Sequence, residues 1–223
     1  MNATMKIAAV VLVAAAGLFS LIGPPPAGPT MAFSEVAQML RNSDTLTCLV
    51  TTQIPGKKDP LLMRILFKEP GFLRVERVPS GGPVRISITD QARQRSMDLD
   101  PATKTAKLTI EKSYGFGNNW AERLRKLGKS EGESLGRKRI DGIEVQGFRV
   151  KQDGIESNVW VDPKTRRLLL VESSESIRAG GQPVTVKTSL SEITLGSKLD
   201  DSLFTLDPPE GYTLVEDTRQ PPK

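Results

Sequence analysis

Three close pairs of carboxylates, Asp98/Asp100, Glu172/Glu175 and Asp200/Asp201, are the residues here whose type and spacing suit acid–base chemistry. A glycosidase needs two such groups flanking one bond. Asp98 and Asp100, however, share one face of an alternating run that ends in a hairpin, and Asp200/Asp201 stand in a loop before Ser202-Leu203-Phe204. All three pairs read as solvated carboxylates. The chain contains 0 histidines, which removes the commonest general base at neutral pH and the commonest transition-metal ligand. Nucleophilic sites built as Ser-His-Asp or Cys-His go with it. The only cysteine, Cys48, lies in the apolar run Thr45–Val50 and reads as a small buried hydrophobe. Gly115-Phe116-Gly117 lacks the strand–loop–helix setting of a phosphate fingerprint and reads as a loop before a helix. An oxygen-only cation site would need a clustered acidic loop that the sequence lacks. Catalytic residues, cofactors and metals are therefore not expected, and neither is enzymatic activity.

One repeated tetrapeptide remains. Asp100-Pro101-Ala102-Thr103 and Asp162-Pro163-Lys164-Thr165 each lie between two alternating apolar runs. An Asp at the first position of a turn accepts backbone N–H bonds, and a Pro after it presets φ. Both are expected to fold the chain back, with Thr103 and Thr165 resuming extended structure.

The elements that position these residues are mostly strands. A chain of 223 residues suits one domain. Lys6 followed by the uncharged stretch Ile7–Gly23 reads as an export segment, and Pro24-Pro25-Pro26 ends any helix there. Two fates stay open: cleavage at Thr30-Met31-Ala32, leaving Phe33 as the mature start, or retention of residues 7–23 as an inner-membrane anchor. Cleavage is the preferred reading. Either way the rest of the chain is expected in the periplasm. The domains expected are 1–32 as signal or anchor plus Pro-rich linker, 33–216 as the folded body, and 217–223 as a tail.

Phe33, Val36, Ala37 and Leu40 recur at helical spacing, and Trp120, Leu124 and Leu127 do so again. From Thr45 the period changes to two. Strands are expected near 45–54, 61–68, 71–78, 84–89, 93–99, 104–110, 132–138, 143–151, 155–162, 167–177 and 183–195, joined by short turns into an antiparallel meander. Slips of apolar phase across Gly147 and between Leu190 and Ile193 predict β-bulges. Leu61–Phe67 and Leu168–Val171 are apolar on both faces, so the sheet is expected to be covered on both sides. The two helices are too short to do that alone. Trp160, on a strand, reads as packing.

Formal net charge is +5. It is concentrated between Trp120 and Arg139, where seven Lys/Arg meet three Glu. No nucleic-acid motif accompanies this stretch, and nucleic acid is not expected as a partner. Arg123, Arg125 and Lys126 are read as contacts for anionic head groups, with a solvated face as the alternative.

The C-terminal run Asp200–Glu216 carries Phe204, Leu206, Pro208, Pro209, Gly211 and Tyr212. It resembles the closing signature of the outer-membrane lipoprotein-carrier (LolA/LolB-like) superfamily, and Trp160, Asp162 and Thr165 look like that superfamily's Trp-x-Asp-x-x-Thr strand–turn–strand. The resemblance spans roughly residues 33–216. It implies a mostly β, α+β fold: an unclosed antiparallel β-barrel of about eleven strands, with short helices lidding an apolar concave face. It also implies non-enzymatic binding or carriage of lipid or lipoprotein acyl chains in the bacterial cell envelope. The alternative is a sensor or regulatory module docking onto a membrane protein such as an anti-sigma factor. A monomer is expected. Met63, Ile65 and Phe67, then Leu73 and Val75, then Val84, Ile86 and Ile88 lie on single faces of successive strands, and are expected to form one apolar lipid-binding surface.

Overall fold

The computed structural model describes residues 31–79, 81–110, 120–179 and 182–217. The proposed export segment and the Gly115-Phe116-Gly117 loop lie outside them, as do residues 218–223 of the tail. Among the described residues no helix is long and apolar enough to cross a membrane.

Twelve strands form one sheet: β1 (Thr45–Gln53), β2 (Leu61–Lys68), β3 (Phe72–Val78), β4 (Arg85–Asp90), β5 (Arg95–Asp100), β6 (Thr105–Ile110), β7 (Gly132–Ile140), β8 (Ile143–Gln152), β9 (Ile155–Asp162), β10 (Arg167–Ala179), β11 (Gln182–Leu195) and β12 (Thr213–Asp217). Among the described residues two α-helices accompany them, α1 (Phe33–Arg41) and α2 (Trp120–Leu127). The order is β12-β6-β5-β4-β3-β2-β1-β11-β10-β9-β8-β7, so the sheet does not close. The eleven expected strands are all present and antiparallel, but not as one meander: β1–β6 and β7–β11 form two antiparallel runs joined through the β1–β11 pair, and β6 and β7 are not neighbours. The last strand of the signature, β12, is a twelfth and pairs parallel with β6.

The hairpins follow from turn chemistry. Asp141-Gly142 and Asp153-Gly154 both have positive φ, the conformation that a two-residue turn between twisted strands requires. In the repeated tetrapeptide Asp100 Oδ1 accepts from the N–H of Ala102 at 3.0 Å, and Asp162 Oδ1 accepts from the N–H of Lys164 at 2.8 Å. The Thr165 hydroxyl donates to Asp162 Oδ2 at 2.6 Å. These turns run one residue further than expected. Lys104 and Arg166 take positive φ, and extended structure resumes at Thr105 and Arg167 rather than at the threonines.

Asp162 is buried, and the Thr165 hydroxyl bond, followed by the Lys164 N–H bond, holds its carboxyl below the ordinary range. A depressed folded-state value adds stability that is present above the unfolded value of about 3.9 and is lost as pH falls below it. Asp162→Asn should therefore cost most at neutral pH, about 1–2 kcal/mol. The gap should narrow below about pH 4 in chemical denaturation; a gap that stays constant with pH contradicts the assignment.

The bulges are found where the apolar phase slips. Thr47 pairs Thr194 and Leu49 pairs Ser191, so Glu192 and Ile193 oppose Cys48 alone, and Glu192 takes positive φ. At Gly147 the extra residue lies in the facing strand, between Ser134 and Gly136 of β7.

One face carries the helices and the main core. Val36 and Leu40 of α1 and Leu124 and Leu127 of α2 form one cluster with Leu46, Cys48, Val50, Ile65, Phe67, Leu73, Phe148, Val159, Val171 and Leu190. Gln146 clamps the start of α1 by accepting from the N–H of Met31 and donating to its carbonyl, both at 2.9 Å. Phe33 lies on Gly132, where a Cβ would meet the ring at 2.4 Å. The Arg41 guanidinium donates to the carbonyl of Gly128, joining the two helix ends.

Over β3–β6 the opposite face is covered by the C-terminal segment. Phe204 is buried with its ring 6.0 Å from that of Phe72, and the Leu203 carbonyl accepts from Arg74 Nη1 at 3.1 Å. Leu206 and Tyr212 pack against Ile88, Met97, Leu99, Ala106 and Leu108. Leu206 and Tyr212 of the C-terminal signature therefore seal a second, separate core.

Candidate functional site

Directly paired residues share a face, so the register sorts the helix-bearing side of β2–β6 into three lateral rows. The first is Met63, Arg77, Arg85, Asp100 and Thr105; the second is Ile65, Val75, Ser87, Asp98 and Lys107; the third is Phe67, Leu73, Thr89, Ser96 and Thr109. Each row is polar throughout β4–β6. On β2 and β3 all members but Arg77 are apolar. A cleft of about 480 Å³ lies over the polar part, lined by Val75, Arg77, Arg85, Asp98, Asp100 and Lys107 among others.

The charges in this cleft are unevenly satisfied. Arg85 reaches Asp100 at 3.4 Å, and Lys107 reaches Asp217 of β12 at 2.7 Å. Asp98 accepts from the Ser87 hydroxyl at 2.5 Å. Arg77 stands directly opposite Arg85 across the β3–β4 ladder, an arrangement in which like charges repel. In the third row Ser96 is 2% exposed, and its hydroxyl has no hydrogen-bond partner.

The register changes one part of the expected lipid surface. Met63, Ile65, Phe67, Leu73 and Val75 do share the helix-bearing face. Ile86 pairs with Glu76 and Ile88 with Arg74, which places both on the opposite face. Ile88 is 3% exposed in the second core, and Ile86 packs beside it. Val84 precedes β4 and is 38% exposed. The eight residues thus do not form one surface. Within the helix-bearing set Ile65, Phe67 and Leu73 are already buried, while Met63 and Val75 are half-buried at the border of the polar cleft. Under α2 a cavity of about 40 Å³ between Leu124, Leu127, Val171 and Leu190 has room for only a few waters.

The basic stretch is also divided. Arg123 lies 3.4 Å from Glu175, Lys126 lies 3.8 Å from Asp153, and Arg137 lies 2.8 Å from Glu144. The side chain of Arg125 lies outside the description. Lys138 sits 3.7 Å from the centroid of the Trp160 ring, on the far side of the sheet from the helices. Trp160 is packed, as expected, with its indole N–H donating to Glu172 at 2.9 Å.

Sequence reasoning missed the polar rows. Their signal was present in "RISITD" and "RSMDLD", where Ser and Asp alternate with Ile, Met and Leu, but which side they face depends on register.

The architecture is an unclosed half-barrel with helices on one face, the class that the resemblance to the lipoprotein-carrier superfamily implied. No family model and no curated protein matches the sequence. Solved structures similar in fold include PNGF-II, at 12% identity and TM-score 0.32, covering 78% of this chain and 31% of that one. The Pseudomonas aeruginosa MucA/MucB complex shows 13% identity and TM-score 0.39, covering 77% of this chain and 60% of the other. A putative outer membrane lipoprotein-sorting protein domain from Vibrio parahaemolyticus shows 13% identity and TM-score 0.29, covering 77% and 95%. The chain thus spans less than two thirds of the first two.

Proposed function

We propose that this protein is a non-enzymatic binder or carrier of lipid or lipoprotein acyl chains in the bacterial cell envelope. One observation carries the reading: rows that are mainly apolar on β2–β3 turn polar on β4–β6, so a single continuous face has the polarity profile of an amphiphile. Val75 sits at the join, half-buried and lining the cleft. Burial of an acyl chain gains about 0.8 kcal/mol per CH₂, so each methylene seated against Met63 and Val75 adds to what the polar end of the ligand gains. Delivery to the periplasm is assigned to the export segment, and the intact mass of the protein from its native envelope reads whether residues 1–32 remain.

The test is uptake of a fluorescent fatty acid by delipidated protein. Ile65, Phe67 and Leu73 are unsuitable positions, because a charge there would disrupt the core, and Ile86 belongs to the other face. Val75→Glu is expected to weaken uptake about tenfold or more while circular dichroism stays β-rich, because it sets a charge against the chain. No uptake by the wild type contradicts the acyl reading.

A second reading, a module docking onto a membrane protein, is favoured by the β10–β11 hairpin. Pairing with β9 ends at Ser174 and pairing with β1 ends at Lys187, so Glu175–Ala179 and Gln182–Val186 extend without a further strand partner among the described residues, and Ile177 is 42% exposed. Mass spectrometry of ligand extracted from native protein separates the two: a carrier holds acyl lipid.

A further inference from the structure

The cleft over β3–β6 suggests what the amphiphile's polar end is. Two of its charged groups have ionic partners within the fold, Arg85 with Asp100 and Lys107 with Asp217. Among the described residues Arg77 has no carboxylate and Asp98 has no cation within 4.0 Å. What remains is one guanidinium, held opposite a second one, and one carboxylate that accepts from the Ser87 hydroxyl and faces, across the β5–β6 ladder, a Lys107 whose ammonium is turned to Asp217. Arg77 and Asp98 stand on β3 and β5 one row apart, with backbones roughly 12 Å apart by strand spacing and rise, on the same face of the sheet. Arginine pairs facing each other bind phosphate oxygens in bidentate fashion. A carboxylate that forms no ion pair is suited to an ammonium. A ligand with a single charge would satisfy one of the two and leave the other.

Two further facts point to an occupant rather than to a solvated surface. The Ser96 hydroxyl is 2% exposed, lines the cleft and has no partner, although buried polar groups are nearly always satisfied. The first two rows also continue into Met63 and Val75, the half-buried apolar residues at which an acyl chain would begin.

We infer that the β3–β6 cleft receives the zwitterionic head of an amphiphile, a phosphate joined to a primary ammonium, with Arg77 and Arg85 on the phosphate and Asp98 on the ammonium. This rests on the acyl-binding reading and specifies its head group. Arg77 and Asp98 are exposed, so Arg77→Gln and Asp98→Asn leave the core untouched.

The experiment is calorimetric titration of the delipidated full chain with lysophosphatidylethanolamine, lysophosphatidylglycerol and monoacylglycerol of one acyl length, below their micellar concentrations, and with chain-free glycerophosphoethanolamine. The ethanolamine lipid is expected to bind about tenfold more tightly than either other lipid. Arg77→Gln brings both phosphate lipids toward the monoacylglycerol value. Asp98→Asn removes the preference for ethanolamine over glycerol and leaves the phosphate contribution in place. The head-group site is overturned if the two lysophospholipids bind alike in the wild type, or if either variant leaves its own discrimination intact. Binding of monoacylglycerol without any head-group discrimination would overturn this site and keep the acyl reading. Binding of glycerophosphoethanolamine with no gain from the chain would do the reverse, and no binding of any probe would overturn both.

Discussion

Gly147→Ala is expected to destabilise the protein by about 3 kcal/mol, the upper part of the range for overpacking. Gly147 of β8 pairs directly with Trp160 of β9, and the indole lies flat across it on the face away from the helices. A Cβ at this position would meet Trp160 Cζ3 at 2.3 Å and Cε3 at 2.7 Å. The ring has little freedom to retreat, because its N–H donates to Glu172 at 2.9 Å and Lys138 Nζ lies 3.7 Å from its centroid. One added methyl must therefore displace an anchored ring or pull β8 from β9. At about 2–4 °C per kcal/mol for a chain of this size, the melting temperature should fall by about 6–12 °C. The control is a double-mutant cycle with Trp160→Leu, in which the same substitution should cost less than about 1 kcal/mol. An equal cost in both backgrounds would show that the steric account is wrong.

Cys48 should be almost inert in the native state. It is 2% exposed within the helix-bearing core, and burial pushes its thiol up to about 12. The reactive species is the thiolate. At pH 8 its population falls by a factor on the order of a thousand relative to a free cysteine near 8.5, before restricted access is counted. Labelling by a disulfide reagent should then proceed at the rate of opening rather than in seconds, and should become immediate in denaturant. Fast labelling of the native protein would place the thiol outside the core. Cys48→Ala, by contrast, is expected to be a mild cavity mutation, losing about 1 kcal/mol.

Local chemistry was legible residue by residue. The turn role of Asp100 and Asp162 followed from an Asp that accepts the N–H two residues on and a Pro that presets φ. The helices over Phe33–Arg41 and Trp120–Leu127 followed from apolar spacing, and the bulge at Glu192-Ile193 from a break in alternation. Each of these depends on contacts a few residues apart. The Phe204–Tyr212 signature was visible too, but not its task of covering the second face of the sheet over β3–β6.

The face taken by β4 could not be read in this way. Alternation in "RISITD" states that Ile86 and Ile88 lie together, not on which side. That is decided by the β3–β4 register, in which Leu73 meets Thr89 and Val75 meets Ser87. Since side chains alternate with a period of two, a shift of one residue in that pairing would move Ile86 and Ile88 to the helix-bearing face. The shift is opposed by contacts distant in sequence, in which Leu206 and Tyr212 pack on Ile88, Met97 and Leu108. Strands β1–β11, the places where the chain turns and the lack of histidine chemistry are legible in the chain alone, because those are local properties. That one face of β4–β6 is a second core and the other a charged cleft follows from the folded sheet, because facing is a property of strand pairs and of what packs against them.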